Sequence, residues 1–401
     1  MSEWKEYKLG DAPFKIIDGD RGANYPKQHE FKESGYCLFL NAKNVTSNGL
    51  AFNECFFISK EKDQVLRKGK LQRNDIILTT RGTVGNVGFY NNRIPFDNMR
   101  INSGMVIIRS NPNEILPEYT HQLFKYLKGD FDVFATGSAQ PQLPIRDLSE
   151  ITFLLPPSAE QQAIATVLSS LDDKIDLLHR QNKTLEAIAE TLFRQWFIEE
   201  ADEGWEEVDL EYVTERITDG AHQSPQTTET GMPMASVKDM HQWGIHYSTC
   251  RKISVVDFQK LVHDDCQPLK NDILIAKDGS FLKHIFIVPE DMNLVVLSSI
   301  AIIRPNRKYH PMLLSILLKM DATKQLLGNI VTGAVIPRIV LKDFRKFPIT
   351  LPPTSIQEKA LLAIEPLIAK CYNNIKQINY LEVLRDTLLP KLMSGEVRVA
   401  V

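Results

Sequence analysis

The chain has 401 residues, 43% of them hydrophobic and 24% charged, with 47 Lys and Arg against 50 Asp and Glu for a formal net charge of −3. That composition belongs to ordinary globular domains, two or three at this length, and the slight negative charge excludes a uniformly basic surface. No apolar run approaches the ~20 residues of a membrane span, and the start MSEWKEYKLG has no apolar signal core.

Read in chain order, the first stretch carries Trp4, then Ile17-Asp18-Gly19, then a basic segment from Lys60 to Arg73. Leu71-Gln72-Arg73-Asn74-Asp75-Ile76-Ile77-Leu78 leads into a short apolar strand, and Arg81-Gly82-Thr83-Val84-Gly85-Asn86-Val87-Gly88 reads as a glycine-rich turn between strands. Met105-Val106-Ile107-Ile108 is a further strand, and Tyr119 to Leu127 a helix. After Ala135-Thr136-Gly137 and Leu155-Pro156-Pro157 comes Ser158-Ala159-Glu160-Gln161, the pattern of a capping box at a helix start. The helix that follows has an apolar seam at Ile164, Leu168, Leu171, Ile175, Leu178, Leu185, Ala189, Leu192 and Trp196, alternating steps of four and three as in a coiled coil. Asn182 is the polar member of that seam, a position that commonly sets register. The joint Glu199-Glu200-Ala201-Asp202-Glu203 is strongly acidic.

Beyond the joint the same order returns. Trp205 and Thr218-Asp219-Gly220 echo Trp4 and Asp18-Gly19, and Pro268-Leu269-Lys270-Asn271-Asp272-Ile273-Leu274-Ile275 echoes the segment from Leu71. Lys277-Asp278-Gly279-Ser280 occupies the place of the glycine-rich turn, Ile300-Ala301-Ile302-Ile303 that of the later strand, and Pro311 to Met320 that of the helix. The offset is the same, 196 residues, from Thr136 to Thr332 and from Gln161 to Gln357. Thr354-Ser355-Ile356-Gln357 opens a second long helix whose seam falls on Ile364, Leu367, Cys371, Asn374, Ile378, Leu381, Arg385, Leu388 and Leu392; Pro366 is expected to kink its first turns or delay its start. A period this long means a duplicated domain rather than a solenoid. Two matched seams predict that the helices pair with each other, and ~35–40 residues at ~1.5 Å each give a spacer of roughly 50–60 Å.

Catalytic patterns are missing. There is no G-x-x-x-x-G-K-[ST] loop and no G-x-S-x-G elbow; Glu6-Tyr7-Lys8 has the E-x-K form without an upstream acid. Asn111-Pro112-Asn113 is not an amino-methyltransferase motif, and Asp172, Asp173 and Asp176 read as a solvated helix face. Cys37, Cys55, Cys250, Cys266 and Cys371 form no C-x-x-C pair, so disulfides and zinc are not expected and a reducing cytoplasm fits. His241 and His246 lie close together without a carboxylate motif, so no metal is assigned there. A large duplicated chain without an active site points to a binding subunit.

With these residues in place, the chain resembles the specificity subunit of type I restriction-modification enzymes. The resemblance rests on Trp4 with Asp18-Gly19, Thr80-Arg81-Gly82-Thr83-Val84-Gly85, Leu155-Pro156-Pro157 with Glu160-Gln161, and the helix exits Leu192-Phe193-Arg194-Gln195-Trp196-Phe197 and Leu384 to Glu396. It implies an α+β fold with two pseudo-repeated, β-rich target-recognition domains, 1–155 and 201–351, separated by spacer helices in 156–200 and 352–401 that form an antiparallel coiled coil. It also implies double-stranded DNA as ligand, with each domain reading half of a bipartite sequence. Two methyltransferase subunits would dock, restriction and translocase subunits would join through the methyltransferase core, and no cofactor or catalytic residue would belong to this chain.

Sequence reading requires contacts to base edges, while phosphate contacts set register. The candidates for DNA are Lys43, Arg73, Arg81, Thr83 and Asn86 in the first domain and Lys238, Lys277, Ser280 and Lys283 in the second. Arg81 has the geometry to bridge guanine O6 and N7. The seam residues Leu168, Leu171, Ile175, Leu178, Asn182, Leu185, Leu192, Ile364, Leu367, Ile378, Leu381, Leu388 and Leu392 are the candidate helix and subunit interface. A self-sufficient nuclease and a protein-binding coiled-coil adaptor are the rival readings, separated by a metal-dependent cleavage assay and by the salt dependence of DNA binding.

Overall fold

The computed structural model describes residues 4–137, 141–278, 282–328, 331–332 and 338–399. The chain divides into two compact units, Met1–Asp176 with Asn379–Val401, and Leu177–Ile378. The division cuts across both long helices instead of falling at their ends.

In the first unit the central sheet is antiparallel, with strands Phe14–Asp18, Met105–Ser110, Ile76–Thr79 and Val87–Phe89 adjacent in that order. Ile76-Ile77-Leu78 is apolar throughout because both faces of this sheet are covered. Ile76 and Leu78 point with Val106 and Ile108 toward Tyr119, Leu123 and Phe124 of the helix Pro117–Tyr126. Ile77 and Ile107, one step out of phase, pack on Leu38, Leu40, Met99 and Ile101 of a second, three-stranded sheet. Lys5–Lys8 pairs with Thr152–Leu155, which delivers the chain to the first long helix, Ser158–Arg194.

The second unit repeats this construction. Its central sheet orders Thr214–Asp219, Ile300–Pro305, Ile273–Ala276 and Ile285–Ile287, and Glu206–Asp209 pairs with Pro348–Leu351 before the second long helix, Thr354–Met393. Ile273 and Ile275 face Leu313 and Leu314 of the helix Pro311–Lys319, while Leu274 and Ala276 face the other way.

The repeated motifs are repeated supports. Asn74 and Asn271 both take positive φ, 71° and 72°, a conformation asparagine tolerates better than most residues. The next residue in each copy is a buried aspartate held by a two-bond arginine clamp, Arg109 on Asp75 at 2.8 and 2.7 Å and Arg304 on Asp272 at 2.9 Å twice. The glycine of Asp-Gly is equally constrained: a Cβ on Gly19 would lie 2.3 Å from the Asn102 carbonyl oxygen, and one on Gly220 2.0 Å from that of Val296.

Three expectations need correction. Gln161 and Gln357 do not close capping boxes. Gln161 is buried, accepts from Leu116 N–H at 2.9 Å and donates to the carbonyls of Pro156 and Glu114; Gln357 makes the same set with His310, Pro352 and Lys308. Of the two effects expected of Pro366, a delayed start does not occur: the second helix starts at Thr354 and runs through Pro366, which lies exposed there. Asp172 is no solvated residue: its carboxylate accepts from Lys125 at 2.8 Å, Gln122 at 2.9 Å and Arg385 at 3.1 Å, while Asp173 pairs with Arg93.

The long helices pack antiparallel within each unit. In the first, Ile164, Ala165 and Leu168 share a core with Leu392 and Met393, against which Leu388 is half-buried. In the second, Ala189 and Phe193 share a core with Ala360, Ile364, Ile368 and Cys371, and Leu185, Leu192 and Leu367 pack against it. Ile175, Leu178 and Ile378 are buried, and Leu171 and Leu381 half-buried. Asn182 is 3% exposed and meets Asn374, 1% exposed; Asn374 Nδ2 donates to Asn182 Oδ1 at 2.8 Å, and Asn182 Nδ2 to the Cys371 carbonyl at 3.3 Å.

Candidate nucleic-acid interface

In the first unit five loop segments meet at one end of the central sheet. The turn after Ile76–Thr79 is closed by Gly85 N–H on the Thr79 carbonyl at 3.0 Å. Its start is tied to two neighbours, Thr80 N–H to the Gly104 carbonyl at 2.8 Å and Gly82 N–H to that of Pro141 at 3.0 Å. Arg21 donates to the Ser103 carbonyl at 3.3 Å and pairs with Asp18 at 3.1 Å. Asp20, 5% exposed, accepts Gly22 N–H at 2.7 Å with one oxygen, and Arg67 N–H at 2.7 Å and Lys68 N–H at 3.4 Å with the other. Those amides, Gly22 foremost, hold its carboxyl below the usual carboxylate range against the opposing effect of burial. The result is a rigid platform whose side chains are free to differ.

The structure places the described candidates differently within each unit. Lys43 is exposed and pairs with Glu54 at 2.8 Å, on a short turn capped by the Asn41 side chain. Thr83 is exposed and Arg81 half-buried on the turn itself. Arg73 is turned inward, its guanidinium on the carbonyls of Asn91, Ile94 and Phe96 and stacked 4.4 Å from the Tyr90 ring centroid. Asn86 is 7% exposed and donates to the Val45 carbonyl at 2.9 Å, pinning the turn to its neighbour.

In the second unit Lys238 is exposed on a turn equivalent to that of Lys43, and Lys283 is exposed. Lys277 is 4% exposed and enclosed by Asp219 at 2.9 Å and Asp278 at 3.6 Å. Ser280 lies outside the described residues. Arg73, Asn86 and Lys277 therefore support loops, where sequence reading had set them at the surface. His241 and His246 lie with ring centroids 4.3 Å apart, tilted at 32°, and burial pushes the His241 imidazole down to about 4; among the described residues no group of three His, Cys, Asp or Glu is arranged to hold a metal.

The sequence reading did not name Arg21, and had Arg67 and Lys68 only as members of the basic segment Lys60–Arg73. The signal was present in Asp18-Gly19-Asp20-Arg21-Gly22 and Arg67-Lys68-Gly69-Lys70, but only the fold shows that one aspartate joins the two strings.

Comparison with known proteins agrees with this duplicated construction. A family model described as type I restriction modification DNA specificity domain matches twice, over residues 1–187 and 202–382. The type I restriction enzyme MjaIX specificity subunit of Methanocaldococcus jannaschii is 28% identical over 400 residues, covering 88% of this chain and 86% of its own. The EcoBI specificity subunit of Escherichia coli is 27% identical across 64% of this chain and 60% of its own. The crystal structure of a type I restriction-modification S subunit from M. genitalium shares the fold, with a TM-score of 0.55 over 97% of this chain and 96% of that one at 17% identity. The duplicated frame and the two family matches give one answer: the chain belongs to the type I restriction modification DNA specificity domain family and is a specificity subunit of such a system, carrying the domain twice.

Proposed function

We propose that this chain reads a bipartite DNA sequence, one half by each globular domain, 1–155 and 201–351, while the helical segments 156–200 and 352–401 set the gap between the halves. Two methyltransferase subunits dock on the helices and the restriction and translocase subunits join through them. In this reading the chain selects the site in the cytoplasm without cofactor or chemistry of its own. Lys43, Arg81, Thr83, Lys238 and Lys283 are the surface candidates for DNA; Arg73, Asn86 and Lys277 hold the loops that present such residues.

The observation that carries the reading is a frame built twice with different side chains at its rim. Asp75 with Arg109 and Asp272 with Arg304 are the same support, yet the turn that follows begins Thr80-Arg81 in one copy and Lys277-Asp278 in the other. Loops on a rigid scaffold vary without loss of the fold, as a reader of two different half-sequences needs. The test is to exchange residues 1–155 for the equivalent domain of a relative and map the methylated sites in a host carrying the chimera with its methyltransferase. One half of the recognised sequence changes and the other stays; a change in both halves, or in neither, refutes the reading.

A further inference from the structure

The two copies differ most sharply in charge at the loop end just described. In the first domain Arg21, Arg67 and Lys68 are exposed and Arg81 half-buried, and the backbone ties around Asp20 and Gly104 make them neighbours. Arg67 lies over Gly22, where an added Cβ would be 2.6 Å from its guanidinium, and Gly104 sits against the Arg81 side chain, 3.7 Å by the same measure. Two acids face this rim, Asp18 bound to Arg21 and Asp20 bound to backbone amides, so cations outnumber them.

In the second domain the alignment set by Asn74 and Asn271 puts Asp264 and Asp265 where Arg67 and Lys68 stand, and Asp278 at the place of Arg81. Likewise Asp219-Gly220 aligns His222 with Arg21 and Ala221 with Asp20. Asp265 is bound by Arg216 and Arg304, His222 contacts Asp219 at 3.1 Å, and Asp264 is exposed. The positions that carry Arg67, Lys68 and Arg81 in one rim carry acids in its duplicate, where the nearby cations Arg216, Arg304 and Lys277 are taken up in bonds to Asp265, Asp219 and Asp278.

We propose that the first-domain rim of Arg21, Arg67, Lys68 and Arg81 binds the phosphate backbone of duplex DNA, and that the equivalent rim of the second domain does not. The proposal rests on the DNA-reading function proposed above and adds a division of labour to it. The first domain supplies the sequence-independent electrostatic grip, while the second reads its half-sequence with little help from phosphates at this rim. The near-neutral charge of the whole chain conceals the difference, because net charge sums over both rims.

Each phosphate neutralised contributes a slope of roughly −0.9 to the dependence of log affinity on log salt. The experiment uses the full chain assembled with its methyltransferase, measuring that slope on DNA with the mapped target and on DNA without it, for the wild type, R67A/K68A and D264A. Both replaced cations are exposed, so the melting temperature should stay unchanged. The R67A/K68A complex is expected to show a slope shallower by about 1.8, with the same fold loss of affinity on both DNAs and the methylated sequence unaltered; D264A keeps the wild-type slope or steepens it. An unchanged slope in R67A/K68A while the wild type still prefers its target overturns the rim and leaves the DNA-reading function standing. A loss confined to target DNA overturns it too, since that is base reading. A wild-type complex with no preference for any sequence removes both.

Discussion

At the scale of single residues, several of the polar side chains that recur in both halves make the same hydrogen bonds in each. Gln161 is an example. A carboxamide offers an acceptor and two donors on one planar group, and here they engage Leu116, Pro156 and Glu114, sewing the helix start to a loop 45 residues upstream. Replacing it with alanine removes the partner of the Leu116 N–H and of the Pro156 and Glu114 carbonyls, the Pro156 bond buried and the other two partly so, at about 1–3 kcal/mol for each group left without water. Q161A is expected to lower the unfolding free energy of the first domain by roughly 2–4 kcal/mol, with Q357A doing the same to the second, as read from chemical denaturation curves; a loss below about 0.5 kcal/mol would show the clamp to be dispensable. The repeat of this glutamine was plain in the sequence, but its role was not, because its partners are far away in the chain. The same holds for Asp172, whose three donors come from residues 50 and 47 before it and 213 after it.

At the scale of elements, apolar spacing is local information, which is why both long helices and their seams were legible. Strand positions were legible for the same reason, since Ile76-Ile77-Leu78 and Ile273-Leu274-Ile275 are continuous apolar runs between turn residues. The pairing of Asn182 with Asn374 was not, since a seam position names no partner. That pair leaves Asn374 Oδ1 without a donor among the described residues, so it stabilises the helix contact less than leucines would and restricts it to the alignment in which the asparagines meet. N182L is expected to destabilise the second unit by roughly 1–3 kcal/mol, through Asn374 left with only its long bond to Gln181 at 3.5 Å. N182L/N374L should recover that loss or exceed wild-type stability while the methylation pattern spreads over more than one gap length. A double variant as unstable as the single one would show the pair to be held by something other than mutual satisfaction.

At the scale of the whole molecule, helix length becomes the quantity of interest. The helices run 37 and 40 residues, and seven residues added to each at matching seam positions preserve the heptad phase. The addition lengthens each by ~10 Å, at ~1.5 Å per residue, or about three base pairs at ~3.4 Å per step. Methylation mapping is expected to return the same two half-sequences with a gap longer by roughly three base pairs; unaltered spacing at full efficiency would mean that the helices do not measure it. What no local pattern conveyed was charge at this scale. The basic stretch from Lys60 was visible, yet Lys62 is neutralised by Glu30 and Lys70 by Asp63, and the cations left exposed emerge only when loops distant in sequence are placed side by side.

The last residues of the chain belong to its first unit. Leu388, Leu392 and Met393 lie in or against the core formed with Leu168, Val399 packs against it, and Arg398 bonds Glu160 at 3.1 Å beneath Trp4. A ribosome making this protein therefore releases the second unit complete before the first can close. For the whole time it takes to translate residues 177–378, the apolar start of the first long helix, Ile164, Ala165 and Leu168, waits without Leu392 and Met393, a state in which chains aggregate or recruit chaperones. Any premature stop in the later half of the gene damages both halves of the protein, because the part synthesised first is the part finished last.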